Sequence, residues 1–230
     1  MAVCRVIRGG FVVYQILMSP ATGAGHAKKL TKPRQTGYVF RHRQPASRKK
    51  DGSVINQMEN SVDNPVLAAI FARRSIRAFT GEAVPLEQLR SIVEAGIWAP
   101  SGLNNQPWRF ILIQDHETRD ELAALTRYRH IMTAAQGLIA VFLDTTTMYD
   151  EVKDHQAAGA CIQNMLLALE SFGLGGVWLG QILANKNRVN ELLDVPATLD
   201  LMAVIALGHP AHRHQKAERK PLSEFIIKEL

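Results

Sequence analysis

The run Leu138-Ile139-Ala140-Val141-Phe142-Leu143, closed by Asp144, constrains this chain more than any other stretch. Six consecutive apolar residues without alternation read as a central strand, because a strand with one wet face alternates polar and apolar positions. Two further runs read as its neighbours: Arg109-Phe110-Ile111-Leu112-Ile113 and Leu201-Met202-Ala203-Val204-Ile205-Ala206-Leu207. The spans between them carry helical periodicity. From Asp63 or Asn64, either of which can cap, Pro65 fits a first turn and Val66, Leu67, Ile70 and Phe71 share a face. Further helices are predicted over 85–98, 116–125, 128–136, 151–172 and 187–193. Strands separated by helices favour a layered α/β or α+β domain. The spacings give no regular βαβ repeat, and no Gly-x-Gly-x-x-Gly follows the first strand, which disfavours a Rossmann domain.

Charge divides the 230 residues unequally. Residues 1–57 hold eleven Lys and Arg against one acid, Asp51, whereas 58–230 hold sixteen against twenty. The net +6 therefore belongs to the N-terminal extension, and the remainder is mildly acidic, which argues against a nucleic-acid-binding domain. Residues 1–57 mix Gly, Pro, Ser, Thr and basic residues with little periodicity beyond the apolar run 11–18. They are expected to be largely disordered, with the folded domain spanning 58–230. A targeting segment is a secondary reading of the extension. Cys4 and Cys161 are too few and too far apart for a disulfide framework or a four-thiolate zinc site, which points to a reducing compartment, the cytoplasm. No run is long enough to span a bilayer.

Two stretches have the composition of a site. Pro100-Ser101-Gly102-Leu103-Asn104-Asn105-Gln106-Pro107-Trp108 lies between a helix and a strand and offers three side-chain amides. Each amide presents both a donor and an acceptor, which suits the polar edge of a planar heterocycle. Ala72-Arg73-Arg74-Ser75-Ile76-Arg77-Ala78-Phe79 puts three guanidinium groups and a hydroxyl at a helix end, a set that suits a phosphate. Taken singly, the first could be an ordinary polar loop and the second a helix end complementing its dipole. Gly173-Leu174-Gly175-Gly176-Val177-Trp178 and Gly208-His209-Pro210 complete the set. His209, His212 and His214 form a His-x-x-His-x-His run without a nearby Cys, and a metal is not expected there.

In order and spacing these four motifs resemble the nitroreductase family of FMN-dependent oxidoreductases, over about residues 59–230. The resemblance implies an α+β sandwich: a mixed central sheet covered by helices, assembled as an intertwined homodimer with FMN at the interface. It implies that Arg73, Ser75 and Arg219 hold the FMN phosphate with Arg74 close by. Arg77 would lie toward the pyrimidine end of the ring, where a cation stabilises charge spreading over N1 and O2. Ser101, Asn104 and Gln106 would bond the ring or ribityl chain, and the backbone at Leu179 and Gly180 would approach N5 and O4. Family members often carry Lys-x-Arg before the closing segment. Here Lys216 stands three residues from Arg219, which favours Arg219 over Lys216.

The chemistry implied needs no catalytic acid, base or nucleophile from the protein, since a flavin carries hydride transfer at N5. The sequence agrees: it shows no convincing Ser-His-Asp or Cys-His set. The expected activity is electron transfer from NAD(P)H through FMN to a small oxidised acceptor such as a nitroaromatic or quinone. Tyr128, Met148 and Tyr149 are candidate contacts to that acceptor. The alternative on the same scaffold is a specialised flavin enzyme, a dehalogenase or biosynthetic dehydrogenase. A reading from another class makes residues 1–57 a basic module gripping nucleic acid or an anionic membrane; scattered charge and few stacking residues weigh against it. The expected partners are therefore a second copy and a small molecule, with neither nucleic acid nor membrane. Helix 151–172, with small residues recurring about every four, is a candidate dimer centre or a tightly packed internal helix. The apolar C-terminal end is expected to dock on a partner subunit.

Overall fold

In a computed structural model, residues 3–8, 11–16 and 64–230 are described. The chain divides into two units, Met1–Lys49 and Lys50–Leu230. In the first, β1 (Val3–Arg8) pairs antiparallel with β2 (Phe11–Ile16). The rest of the extension, with the expected disorder and the boundary at residue 58, lies outside the described residues.

The second unit begins with α1 (Pro65–Ala72), capped as expected: the Asn64 side chain accepts from the amides of Val66 and Leu67. Then follow α2 (Leu86–Ile97), β3 (Trp108–Ile113), α3 (His116–Ala124), α4 (Arg129–Ala134), β4 (Gly137–Asp144), α5 (Glu151–Ser171), β5 (Gly175–Leu179), α6 (Lys186–Leu192) and β6 (Leu199–Gly208). The strands form one sheet in the order β3-β4-β6-β5, antiparallel at each of its three pairings. Where a mixed sheet was expected, the parallel component among the described residues is a single bridge, Ser75 to Gly176. The sequence reading also missed β5. Its first two residues, Gly175 and Gly176, read locally as turn formers, and only pairing to β6 makes them extended.

Strand β4 is central and buried on both faces, as its unbroken apolar run required. Ile139 and Val141 pack with Ala203, Ile205 and Leu207 under α2 and α5, contributing to a core that includes Leu89, Ile92, Cys161 and Met165. Leu138, Ala140 and Phe142 face the other way, toward Leu122, Ile131, Met132 and Val189 of α3, α4 and α6. Each face thus has its own helical layer, the arrangement that lets a sheet without a polar face exclude water. Small residues of α5 serve this internal packing: Ala157, Ala158 and Cys161 are buried within the chain. Helix α1 is different. It carries no buried residue, and Val66 and Phe71 are 63% and 59% exposed.

Candidate functional site

The arginine segment is placed by backbone hydrogen bonds rather than by its side chains. After α1 ends, the Ile76 amide donates to the Gly176 carbonyl at 3.0 Å, and Ile76 itself is buried. Close packing requires the glycine opposite it, since a Cβ on Gly175 would overlap the Ile76 side chain. The chain continues along the sheet edge: Thr80 N donates to His209 O at 2.8 Å and Ala211 N to Ala78 O at 3.0 Å. Three of the four motifs are thereby brought together, Arg73 to Phe79, Gly173 to Trp178 and Gly208 to Pro210. The tail beyond is anchored by Arg213, whose guanidinium donates to both oxygens of Glu170 at 2.9 and 2.8 Å and to the Leu174 carbonyl at 2.9 Å. Nothing in its local sequence marked that anchor.

Within this corner the candidate residues differ in what they leave free. Arg74 turns back on the end of α1, its Nη1 donating to the carbonyls of Phe71 and Arg73 at 2.5 and 2.9 Å. It completes the helix end, the ordinary role weighed for the cluster. Arg73 and Ser75 are half-buried, and Arg77 is exposed with one long contact to the Ser75 carbonyl at 3.4 Å. Arg219 lies exposed on the tail and donates to the neighbouring Glu218 carbonyl. Leu179 is buried, whereas Gly180 is exposed and a Cβ there would meet nothing within 4 Å, so its backbone is open to a close approach.

The amide loop is built on strain. Leu103, Asn104 and Gln106 all take positive φ, at 52°, 56° and 48°, a conformation costly for residues with side chains and concentrated at functional sites. Ser101 stabilises the turn by accepting from the Gln106 amide at 3.1 Å; its hydroxyl proton stays available to a ligand. Asn104 and Gln106 are exposed, with Gln106 Nε2 also donating to the Asn104 carbonyl at 3.3 Å. Asn105, passed over in the sequence reading, points inward: its Nδ2 donates to Asp154 Oδ1 at 2.8 Å and to the Thr147 carbonyl at 3.3 Å. Downstream, Arg109 pairs with Asp144 at 2.9 Å, and the Asp144 amide donates to the Pro107 carbonyl at 2.7 Å, tying the loop to β4.

Of the three residues expected to meet an acceptor, two also make contacts within the chain, and Tyr149 stays 42% exposed. Tyr128 lies against the α3, α4 and α6 layer, with Arg127 over its ring at 5.1 Å. The ring of Tyr149 occupies the space in front of Gly102, where a Cβ would overlap it. Met148 is half-buried. The histidines do not converge: His212 and His214 stack nearly parallel at 5.5 Å, and His209 faces Glu82 at 3.7 Å. Burial pushes the Cys161 thiol up to about 12, which leaves it protonated and inert as a nucleophile.

The two halves of the candidate site lie at opposite corners of one sheet. Trp108 shares a row with Leu143 and Asp200, while Gly176, the partner of Ser75, pairs with Leu207. At the usual strand rise and spacing, the corners are about 20 Å apart along the strands and about 19 Å across them.

A model of the nitroreductase family matches residues 70–128 and 123–209. Among solved structures, a nitroreductase of Desulfovibrio desulfuricans in complex with FMN superposes with a TM-score of 0.70 at 54% identity, covering 73% of this chain and 98% of that one. An NADPH-flavin oxidoreductase of Vibrio harveyi is 31% identical over 170 residues, 69% of this chain and 71% of its own. An iodotyrosine deiodinase of Thermotoga neapolitana is 26% identical over 181 residues, 68% of this chain and 92% of its own. The arginine segment on the sheet edge, the open glycine backbone and the strained amide loop thus stand on a matching sequence and fold, and the chain belongs to the nitroreductase family.

Proposed function

We propose that this chain is an FMN-dependent NAD(P)H oxidoreductase that passes electrons to a small oxidised acceptor, a nitroaromatic or quinone, with donor and acceptor using one open face in turn. The observation that supports the reading is the bridge between the arginine segment and β5, which joins Ser75 to Gly176 on the strand that ends at Leu179 and the open backbone of Gly180. The residues fit the group. Guanidinium and hydroxyl donors suit a phosphate, Gly180 leaves room for a flat ring, and the Desulfovibrio desulfuricans neighbour holds FMN. Arg73, Ser75 and Arg219 would hold the phosphate, and Arg77 would supply positive charge at the pyrimidine end. The Leu179–Gly180 backbone would meet the ring edge. Arg74 contributes less, being engaged at the helix end. FMN, when bound, supplies the electron-transfer chemistry, and the chain supplies placement and charge.

The distance between the two corners supports a homodimer in which Ser101, Asn104 and Gln106 come from the second copy. Apolar surface supports it too: besides α1, Trp98 is 81% and Leu103 85% exposed, and Ile227 in the tail is fully exposed. The tail would dock on the partner subunit. Among the described residues no helix is long and apolar enough to cross a membrane. The cytoplasm rests on cysteine usage. The second reading, a reductive dehalogenase, is favoured by the likeness to the Thermotoga neapolitana deiodinase.

The test is the visible spectrum of the purified protein, followed by anaerobic NADPH and NADH in separate cuvettes. Flavin bands that bleach with either donor and return with a nitroaromatic or quinone are expected. Return only with a halogenated aromatic would select the dehalogenase, and a colourless protein that takes up no added FMN would reject the flavin reading.

A further inference from the structure

Asp154, in the first turn of α5, is completely buried and belongs to none of the four motifs. One of its oxygens accepts from Asn105 Nδ2 at 2.8 Å; the other accepts from the amides of Tyr149 and Asp150 at 2.9 and 3.1 Å. Every partner is a donor and both oxygens are used. The site therefore suits a carboxylate, since an asparagine would either turn an N–H₂ group toward a donor or oblige the Asn105 amide to flip and give up its bond to the Thr147 carbonyl. A buried charge is tolerated only when so satisfied. If its role were simply to begin the helix, the two backbone donors would suffice. The third bond reaches 49 positions back to the amide loop.

That bond acts on the strained part of the loop. Asn105 lies between Asn104 and Gln106, both of positive φ, and its second donor contact, to the Thr147 carbonyl, fixes which way its amide points. The same carboxylate holds the Tyr149 backbone, and the Tyr149 ring fills the space before Gly102 at the other end of the loop. One buried group thus restrains the loop at two points. We propose that Asp154 is a positioning residue that holds the 101–107 loop in its left-handed form, orienting Ser101, Asn104 and Gln106 toward the flavin. The role rests on the flavin site proposed above.

Two substitutions test it, read by titrating the apo-protein with FMN and by the visible spectrum and circular dichroism of the bound flavin. Asp154→Asn keeps the shape but either sets two donors against each other or flips the Asn105 amide off the Thr147 carbonyl. Asn105→Ala removes only the loop side of the link and leaves Asp154 with its two backbone donors, so it decides the matter should Asp154→Asn not fold. Each is expected to weaken FMN binding about tenfold or more and to shift the flavin dichroism, and the double variant to lose no more than the worse single one, as for two groups acting through one bond. Wild-type affinity and unchanged flavin spectra in Asn105→Ala, or fully additive losses, would overturn the role of Asp154 alone. A wild-type protein that binds no FMN would overturn the flavin site and this role together.

Discussion

At the scale of single residues, three carboxyl groups record how the chain uses hydrogen bonds to hold charge. Asp115 lies below the ordinary carboxylate range because the Thr118 amide and hydroxyl donate to it at the start of α3. Asp144 is lowered first by the Thr146 hydroxyl, against a smaller cost of desolvation, with further help from the Thr146 amide and Arg109. For Asp154 burial is the largest single influence and raises it. The Asn105 side chain and the Asp150 and Tyr149 amides together outweigh that, with a small contribution from His155, and the net direction is down. A folded value below the unfolded one means stability that is present above the unfolded value and lost as pH falls through the folded one. The melting temperature is expected to hold near neutrality and to fall below about pH 4, where free carboxylates titrate. Asp154→Asn is expected to make that fall shallower; an unchanged acid slope in thermal melts would mean that Asp154 is not ionised in the folded protein.

At the scale of elements, α1 separates two arginines that stand side by side in the sequence. Arg74 completes the carboxyl end of the helix, whereas the half-buried Arg73 side chain makes no hydrogen bond among the described residues, although both stand in the same short cluster. Arg73→Ala is expected to release FMN with little change in apo-protein melting. Arg74→Ala is expected to retain FMN but to lose about 1 kcal/mol of stability, the worth of ordinary hydrogen bonds of this kind. Flavin occupancy and melting temperature of the two variants, measured side by side, check the assignment; the reverse pattern would exchange their roles. Residue type alone could not make this distinction, because helix-dipole and phosphate interactions favour the same cation at the same place. The missed β5 is a comparable case. Local glycine signals outweighed an extended conformation that only pairing with β6 specifies.

At the scale of the whole molecule, the sheet carries the arginine segment at one corner and the amide loop at the diagonal one. If each flavin takes its phosphate grip from one chain and its amides from another, defects on different chains should complement. Arg73→Ala and Asn104→Ala homodimers are each expected to bind FMN poorly. Mixing them under conditions that exchange subunits should restore one intact site per heterodimer, read as recovered flavin absorbance. No recovery despite demonstrated exchange would place both groups on one chain.

What the sequence by itself determined was local or periodic in origin. The unbroken run 138–143 dictated a strand buried on both faces, because each of its side chains gains by leaving water. Asn64 and Pro65 set the start of α1, and the four motifs identified the family through order and spacing. The tertiary structure decided the rest. It turned Asn105 inward while leaving Asn104 and Gln106 exposed, set one Arg74 nitrogen on the carbonyls of the helix end, and bonded a buried carboxylate 49 positions away to a strained loop. These outcomes depend on which donor meets which acceptor once distant segments are packed together. A buried hydrogen bond is specified by position in space, and neighbours along the chain carry almost no record of it.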